Sequence, residues 1–157
     1  MSCGKTPFHL FALFTLMLHS LSISQNREIP EYELGMLLGE PTGISAKYWF
    51  NEQLAVDAAL AWSFGEGFLG IYADYLYHPI RLGNRPFYIG AGVSLRAGQD
   101  WFAGIRFPIG AETFTDWLPV SFFAEFAPRL ELIPPGAGFG GGGGIRWNWG
   151  TATDDED

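Results

Sequence analysis

Lysine, cysteine and charge of either sign are scarce in this 157-residue sequence. The only cysteine is Cys3, the only lysines are Lys5 and Lys47, and charged residues make up 17% of the chain against roughly 25% in an average domain. Hydrophobic residues make up 48%, so the composition excludes a disordered chain. Lysine and arginine number 9 against 17 acidic residues, giving a formal net charge of -8, which excludes the basic patch that a nucleic-acid partner requires.

The sequence also has no hydrophobic run of the roughly 20 residues that a membrane-spanning helix needs. Residues 8–18 form a shorter apolar segment, with Lys5 before it and the small side chains of Ser22 and Ser24 after it. This order is typical of a secretory signal, so we predict a signal peptide at residues 1–24 that is cleaved after Ser24. A retained membrane anchor is the alternative. Cleavage removes the only cysteine, and the processed chain then forms no disulfide.

Helical periodicity is absent as well, and an alternation of period two takes its place. Glycine (21 residues) and proline (10 residues) recur at intervals that would break helices. Between the breaks, apolar side chains alternate with polar or small ones, which places them on opposite faces of a strand. The pattern predicts eight strands at residues 32–38, 44–50, 54–63, 69–77, 87–96, 101–107, 120–126 and 139–149. Residues 111–118 are predicted as a loop.

Charged residues on the polar face of these strands are balanced in sign. They are Glu33, Lys47, Asp57, Asp74, Arg96, Arg106, Glu125 and Arg146. A solvated surface has no reason to balance four acids with four bases, whereas a closed lumen does, because a buried charge without a partner is costly. We therefore predict an ionic network inside a closed barrel, with Arg129 and Glu131 extending it at one mouth.

Aromatic residues on the apolar face gather near the predicted strand ends, as in the interfacial girdles of membrane barrels. The candidates are Tyr32, Trp62, Tyr75, Tyr77, Trp101, Trp117, Trp147 and Trp149. Nine or ten residues per strand, tilted by roughly 40°, rise about 25 Å, which matches the apolar band of such barrels. The predicted fold is all-β: a periplasmic lead-in at residues 25–30, an eight-stranded antiparallel transmembrane β-barrel at 31–149 and an acidic C-terminal tail at 150–157.

A family resemblance accompanies this pattern. The signal, the eight segments and the closing Ile145-Arg146-Trp147-Asn148-Trp149 resemble small eight-stranded outer-membrane barrels of the OmpA/OmpX type and their uncharacterised relatives. Residues 38–44, followed by Lys47-Tyr48-Trp49, resemble a turn of one such uncharacterised group. The resemblance implies the outer membrane of a Gram-negative-type bacterium, contact with outer-membrane lipid, and assembly by the barrel-assembly machinery. Trp149 resembles the aromatic assembly signal of these barrels, although the acidic tail follows it here.

The predicted function is non-enzymatic: a structural or surface-interaction protein with a salt-bridged, largely plugged lumen. The sequence favours a monomer and leaves the oligomeric state open. No cofactor is expected. After processing, the single histidine His78 and the lack of cysteine leave no nitrogen or sulfur metal site.

Three alternatives remain open at this point. A soluble periplasmic lipocalin-like barrel would hold an apolar ligand inside, with Leu60, Ile89 and Val93 pointing inward and Arg96 outward. A narrow ion-conducting pore would use the same charged residues as a gate. A lipid A-modifying enzyme would need His78 beside a serine and a carboxylate.

Overall fold

The computed structural model describes residues 28–39, 41–65 and 67–151. The predicted signal peptide lies outside the described residues, and so do residues 152–157 of the predicted tail. Within the described ranges, no helix is long and apolar enough to cross a membrane.

All regular secondary structure in these ranges is β. The strands are β1 (Tyr32–Leu38), β2 (Thr42–Trp49), β3 (Leu54–Ser63), β4 (Phe68–Leu82), β5 (Arg85–Ala97), β6 (Trp101–Arg106), β7 (Ile109–Phe114), β8 (Val120–Ile133) and β9 (Pro135–Trp149). Short turns rich in glycine, asparagine and proline join them, as expected for antiparallel neighbours.

The strands pair antiparallel in one ring-like sheet. Each of β1 to β5 pairs with the next strand, β8 pairs with β9, and β9 pairs back with β1. Both β6 and β7 lie between β5 and β8, so they occupy one position of the ring end to end. We call the end of the ring where Tyr32 pairs with Trp149 the terminal end, and the end where β8 turns into β9 at Pro134 the distal end.

The predicted strand number of eight is wrong by one, and the predicted loop at residues 111–118 is wrong up to Phe114, because a strand occupies 109–114. The reason is Pro108, which lies between β6 and β7 in the chain. Because proline has no N–H group, it interrupts the backbone hydrogen bonds to the neighbouring strands and divides one strand into two. Two backbone hydrogen bonds hold the interruption in place: Phe107 N–H donates to the Pro128 carbonyl (2.9 Å), and the Pro108 carbonyl accepts from Gly90 N–H (2.8 Å).

The polar face of the alternation points into the ring and the apolar face points out. Large buried side chains fill the interior, among them Trp49, Leu76, Tyr88 and Phe123. Many large apolar residues on the other face are exposed, as at Ile89 (51%) and Val93 (57%) on β5. The inside of this ring is therefore the more polar side of the sheet, and the buried charged residues lie there.

Candidate functional site

The eight charged residues predicted from the polar face all lie inside the ring. Seven of them are buried, and the side chain of the eighth, Glu125, is 13% exposed. Their ion pairs form three sets that share no residue, one around Arg146, one around Arg106 and one between Arg96 and Glu131, and the last two are grouped here by their position in the ring. We define the terminal cluster as Glu33, Lys47, Asp57, Glu112 and Arg146, and the distal cluster as Asp74, Arg96, Arg106, Glu125 and Glu131.

Glu112 joins the two cations of the terminal cluster. Its Oε2 lies 2.6 Å from Lys47 Nζ and its Oε1 lies 3.2 Å from Arg146 Nη1. Arg146 also forms an ion pair with Asp57 and donates from Nε to Ser45 Oγ at 2.8 Å. Every charged group named here is buried, so each ion pair replaces the water that these groups lose on folding.

Glu33 differs from Asp57 and Glu112, because none of the described cations forms an ion pair with it. Its Oε1 accepts a hydrogen bond from the indole N–H of Trp49. Its Oε2 lies 2.6 Å from Ser121 Oγ, and the same Oγ lies 3.0 Å from Glu112 Oε1. Ser121 thus bridges two carboxyl groups in a fully buried position.

Sequence reasoning missed Glu112 because it lies in the predicted loop. The sequence nevertheless contains a pattern that indicates an inward position for Glu112. Every second residue from 106 to 114 belongs to one alternation phase, and none of them is exposed in the structure: Arg106, Pro108, Gly110, Glu112 and Phe114. If the alternation of β6 is continued past Pro108, Glu112 falls on the same inward face as Arg106.

His78 lies beside the terminal cluster, packed against Trp49 with ring centroids 4.2 Å apart. Its Nε2 is 3.2 Å from Lys47 Nζ, and its Nδ1 is 3.2 Å from the Gln53 carbonyl oxygen. An ammonium group only donates and a carbonyl only accepts, so Nε2 accepts and Nδ1–H donates. The two ring nitrogens of His78 therefore contact an ammonium group and a backbone carbonyl. In a serine hydrolase, the corresponding nitrogens contact a serine hydroxyl and a carboxylate.

The distal cluster contains three ion pairs. Arg96 pairs with Glu131, and Arg106 pairs with both Glu125 and Asp74, the latter with Nε 3.4 Å from Oδ1. The Arg96–Glu131 pair joins one of the eight predicted network residues to one of the two residues predicted at the mouth.

Three of the arginines also stack on aromatic rings that fill the ring interior. The guanidinium carbons lie 4.7 Å from the Phe102 centroid for Arg96, 4.7 Å from Tyr72 for Arg106, and 3.7 Å from Phe123 for Arg146. Two cavities, both lined in part by Tyr72 and Arg106, measure about 30 Å³ each, room for about one water molecule.

Of the predicted girdle residues, seven are exposed and Trp62 is half-buried. Trp62 and Trp101 lie toward the distal end, and Trp117 lies in the turn between β7 and β8. At the terminal end Tyr32 stacks on Trp149, with centroids 6.1 Å apart. The remaining members on β4 and β9, Tyr75, Tyr77 and Trp147, lie on the same outer surface near that end.

The chemistry available to this site is charge pairing. Among the described residues, no group of three or more histidine, cysteine or acidic side chains is arranged to hold a metal ion. In comparisons with family models, curated proteins and solved structures, nothing matched this chain.

Proposed function

We propose that this chain is an outer-membrane protein whose strands form a transmembrane β-barrel of eight strand positions, with a structural or surface-interaction role and no enzymatic activity. The two clusters act as an internal scaffold that fixes the wall of the barrel and closes its bore. Outer-membrane lipid surrounds the apolar face, and the protein works as a monomer without a cofactor.

The inverted polarity of the ring is the observation that carries this proposal. Large apolar side chains are exposed on every strand while ionised groups are buried. In water, exposed apolar surface costs about 25 cal/mol per Å², and soluble monomers rarely expose contiguous patches beyond a few hundred Å². Hydrocarbon removes that cost, because lipid is as apolar as the side chains it covers.

A soluble barrel with an apolar ligand inside requires the opposite arrangement. It needs Ile89 and Val93 in the interior and Arg96 in solvent, whereas Ile89 and Val93 are exposed and Arg96 is buried against Glu131. Leu60, the third apolar residue of that alternative, is exposed too. These positions favour the membrane protein.

The filled interior favours a scaffold over a pore or an enzyme. Trp49, Tyr72, Tyr88 and Phe123 are buried among the ion pairs, and the two small cavities hold about one water each. A conducting bore needs a continuous water path. A lipid-hydrolysing site needs a nucleophile next to His78, where Lys47 and the Gln53 carbonyl lie instead.

The proposed location follows from the same surface together with the resemblance to small outer-membrane barrels. The outer-membrane assembly machinery would meet an outward-facing aromatic side chain, Trp149, at the end of the last strand. Removal of residues 1–24 by signal peptidase would precede this step.

Cell fractionation and paired cysteine substitutions test the proposal. In a Cys3→Ser background, fluorophores attached at Val93→Cys and Trp101→Cys report depth on the same side of the ring. We expect the protein in the outer-membrane fraction, extracted by detergent and not by salt. A lipid-soluble quencher should then act on position 93, and aqueous iodide on position 101. Recovery in the soluble periplasmic fraction, or iodide quenching at both positions, contradicts the proposal.

A further inference from the structure

The bridge formed by Ser121 contains too few protons for two ionised carboxylates. Its Oγ lies within hydrogen-bond distance of Glu33 Oε2 (2.6 Å) and of Glu112 Oε1 (3.0 Å). A hydroxyl group has one hydrogen to donate, and an ionised carboxylate only accepts. With both carboxylates ionised, one of the two contacts is a close approach of lone pairs in a site without solvent, which is unfavourable.

We propose that Glu33 is a neutral carboxylic acid at neutral pH, so that the terminal cluster is a proton-binding site. The Glu33 O–H donates to Ser121 Oγ, and the Ser121 O–H donates to Glu112 Oε1. Both contacts of Ser121 then join one donor to one acceptor, and Glu33 Oε1 still accepts from the indole N–H of Trp49.

The charge count of the cluster points to the same state. Three carboxyl groups, Glu33, Asp57 and Glu112, share the interior with two cations, Lys47 and Arg146. With Glu33 neutral, the two remaining carboxylates balance the two cations.

Glu33 is the carboxyl group that holds the proton because the other two contact cations directly. Glu112 contacts Lys47 and Arg146, and Asp57 contacts Arg146. The charged and titratable groups that surround this site come from most of the ring: Lys47 from β2, Asp57 from β3, His78 from β4, Tyr88 from β5, Glu112 from β7 and Arg146 from β9. These contacts are the same whether or not the ring lies in a membrane.

Two glutamine substitutions separate this state from an ionised Glu33. Glu33→Gln retains an oxygen that accepts from Trp49 and gains an amide that donates to Ser121, so we expect the equilibrium constant for unfolding in urea to stay unchanged. Glu112→Gln, the matched control on the same serine, removes the partner of two buried cations and should raise that constant by at least about tenfold. An equal rise in both variants overturns the proposal.

Infrared spectroscopy of the unsubstituted protein gives a second readout that does not depend on a variant folding. Protein purified in detergent from cells fed carbonyl-labelled glutamate should show, at neutral pH, the carbonyl stretch of a protonated carboxyl group, displaced by the label. Glu33→Gln should lack this band. Absence of the band from the unsubstituted protein means that Glu33 is ionised and overturns the proposal; persistence of the band in Glu33→Gln assigns the proton to another glutamate and overturns it as well.

Discussion

Arginine provides most of the positive charge inside the ring, and its shape suits the positions it holds. Arg146 bonds Asp57, Glu112 and Ser45 through different nitrogens while its planar face lies on Phe123. A guanidinium presents several fixed donors and a flat apolar face, whereas an ammonium is a point charge. Lys47 is the single buried lysine among the described residues. Its Nζ atom contacts one carboxylate oxygen of Glu112, the face of the Trp49 ring and the Nε2 atom of His78.

The Arg96–Glu131 pair predicts a measurable coupling. Arg96→Met leaves the Glu131 carboxylate without its buried partner and should lower the free energy of unfolding by about 2–3 kcal/mol. Adding Glu131→Leu removes the orphaned charge, so the double variant should be more stable than Arg96→Met alone. A double-mutant cycle by urea unfolding in detergent measures this, with an expected coupling of about 1–3 kcal/mol. Strictly additive losses would show that the two side chains do not interact.

At the scale of the element, β9 depends on glycine where it packs against the interior. An added Cβ at Gly144 would collide with the Met36 carbonyl and with the ring of Phe123, which itself supports Arg146. Gly136 lies in the part of the same strand that pairs with β8 alone among the described strands, and an added Cβ there meets Glu131 Oε2 at an ordinary 3.4 Å.

Gly144→Ala should therefore destabilise the protein by about 1–3 kcal/mol, because the Phe123 ring must move in a filled interior. Gly136→Ala, the control in the same strand, should change the free energy of unfolding by less than about 0.5 kcal/mol. Denaturant titration of both variants checks the pair. Equal effects would mean that the close packing at Gly144 is not what makes glycine necessary there.

Alternation alone was enough for the elements whose inner and outer residues differ clearly. The bounds of β1 and β3 coincide with the predicted segments 32–38 and 54–63. The alternation failed at β7, where Pro108 breaks the strand, alanine and threonine weaken the apolar face, and glycine and phenylalanine weaken the polar face. It also gave no partners for the charges: Lys47 and Glu112 are 65 residues apart and meet only because the ring closes.

At the scale of the whole molecule, the ring reverses the usual relation between inside and outside. Its interior contains ion pairs and stacked rings, and its outer surface exposes large apolar side chains. A charge added to the outer face therefore tests the medium itself, since water accepts it and hydrocarbon does not.

Arginine substitutions on β5 should show a dependence on depth. In bilayers, Val93→Arg near the middle of the strand should cost about 2–4 kcal/mol, and Ala97→Arg at its distal end about 0–1 kcal/mol. Folding into lipid vesicles measures both variants against the unsubstituted chain. Two equally small costs would indicate that the outer face meets water.

Lys47 is the only lysine among the described residues, and its ammonium group is fully buried under Trp49 and Glu112. The folded ring consequently offers no side-chain amine to acylating reagents in solution. Succinimidyl esters would leave Lys47 unmodified until the ring opens, so acylation at Lys47, measured by mass spectrometry, reports how often the ring opens.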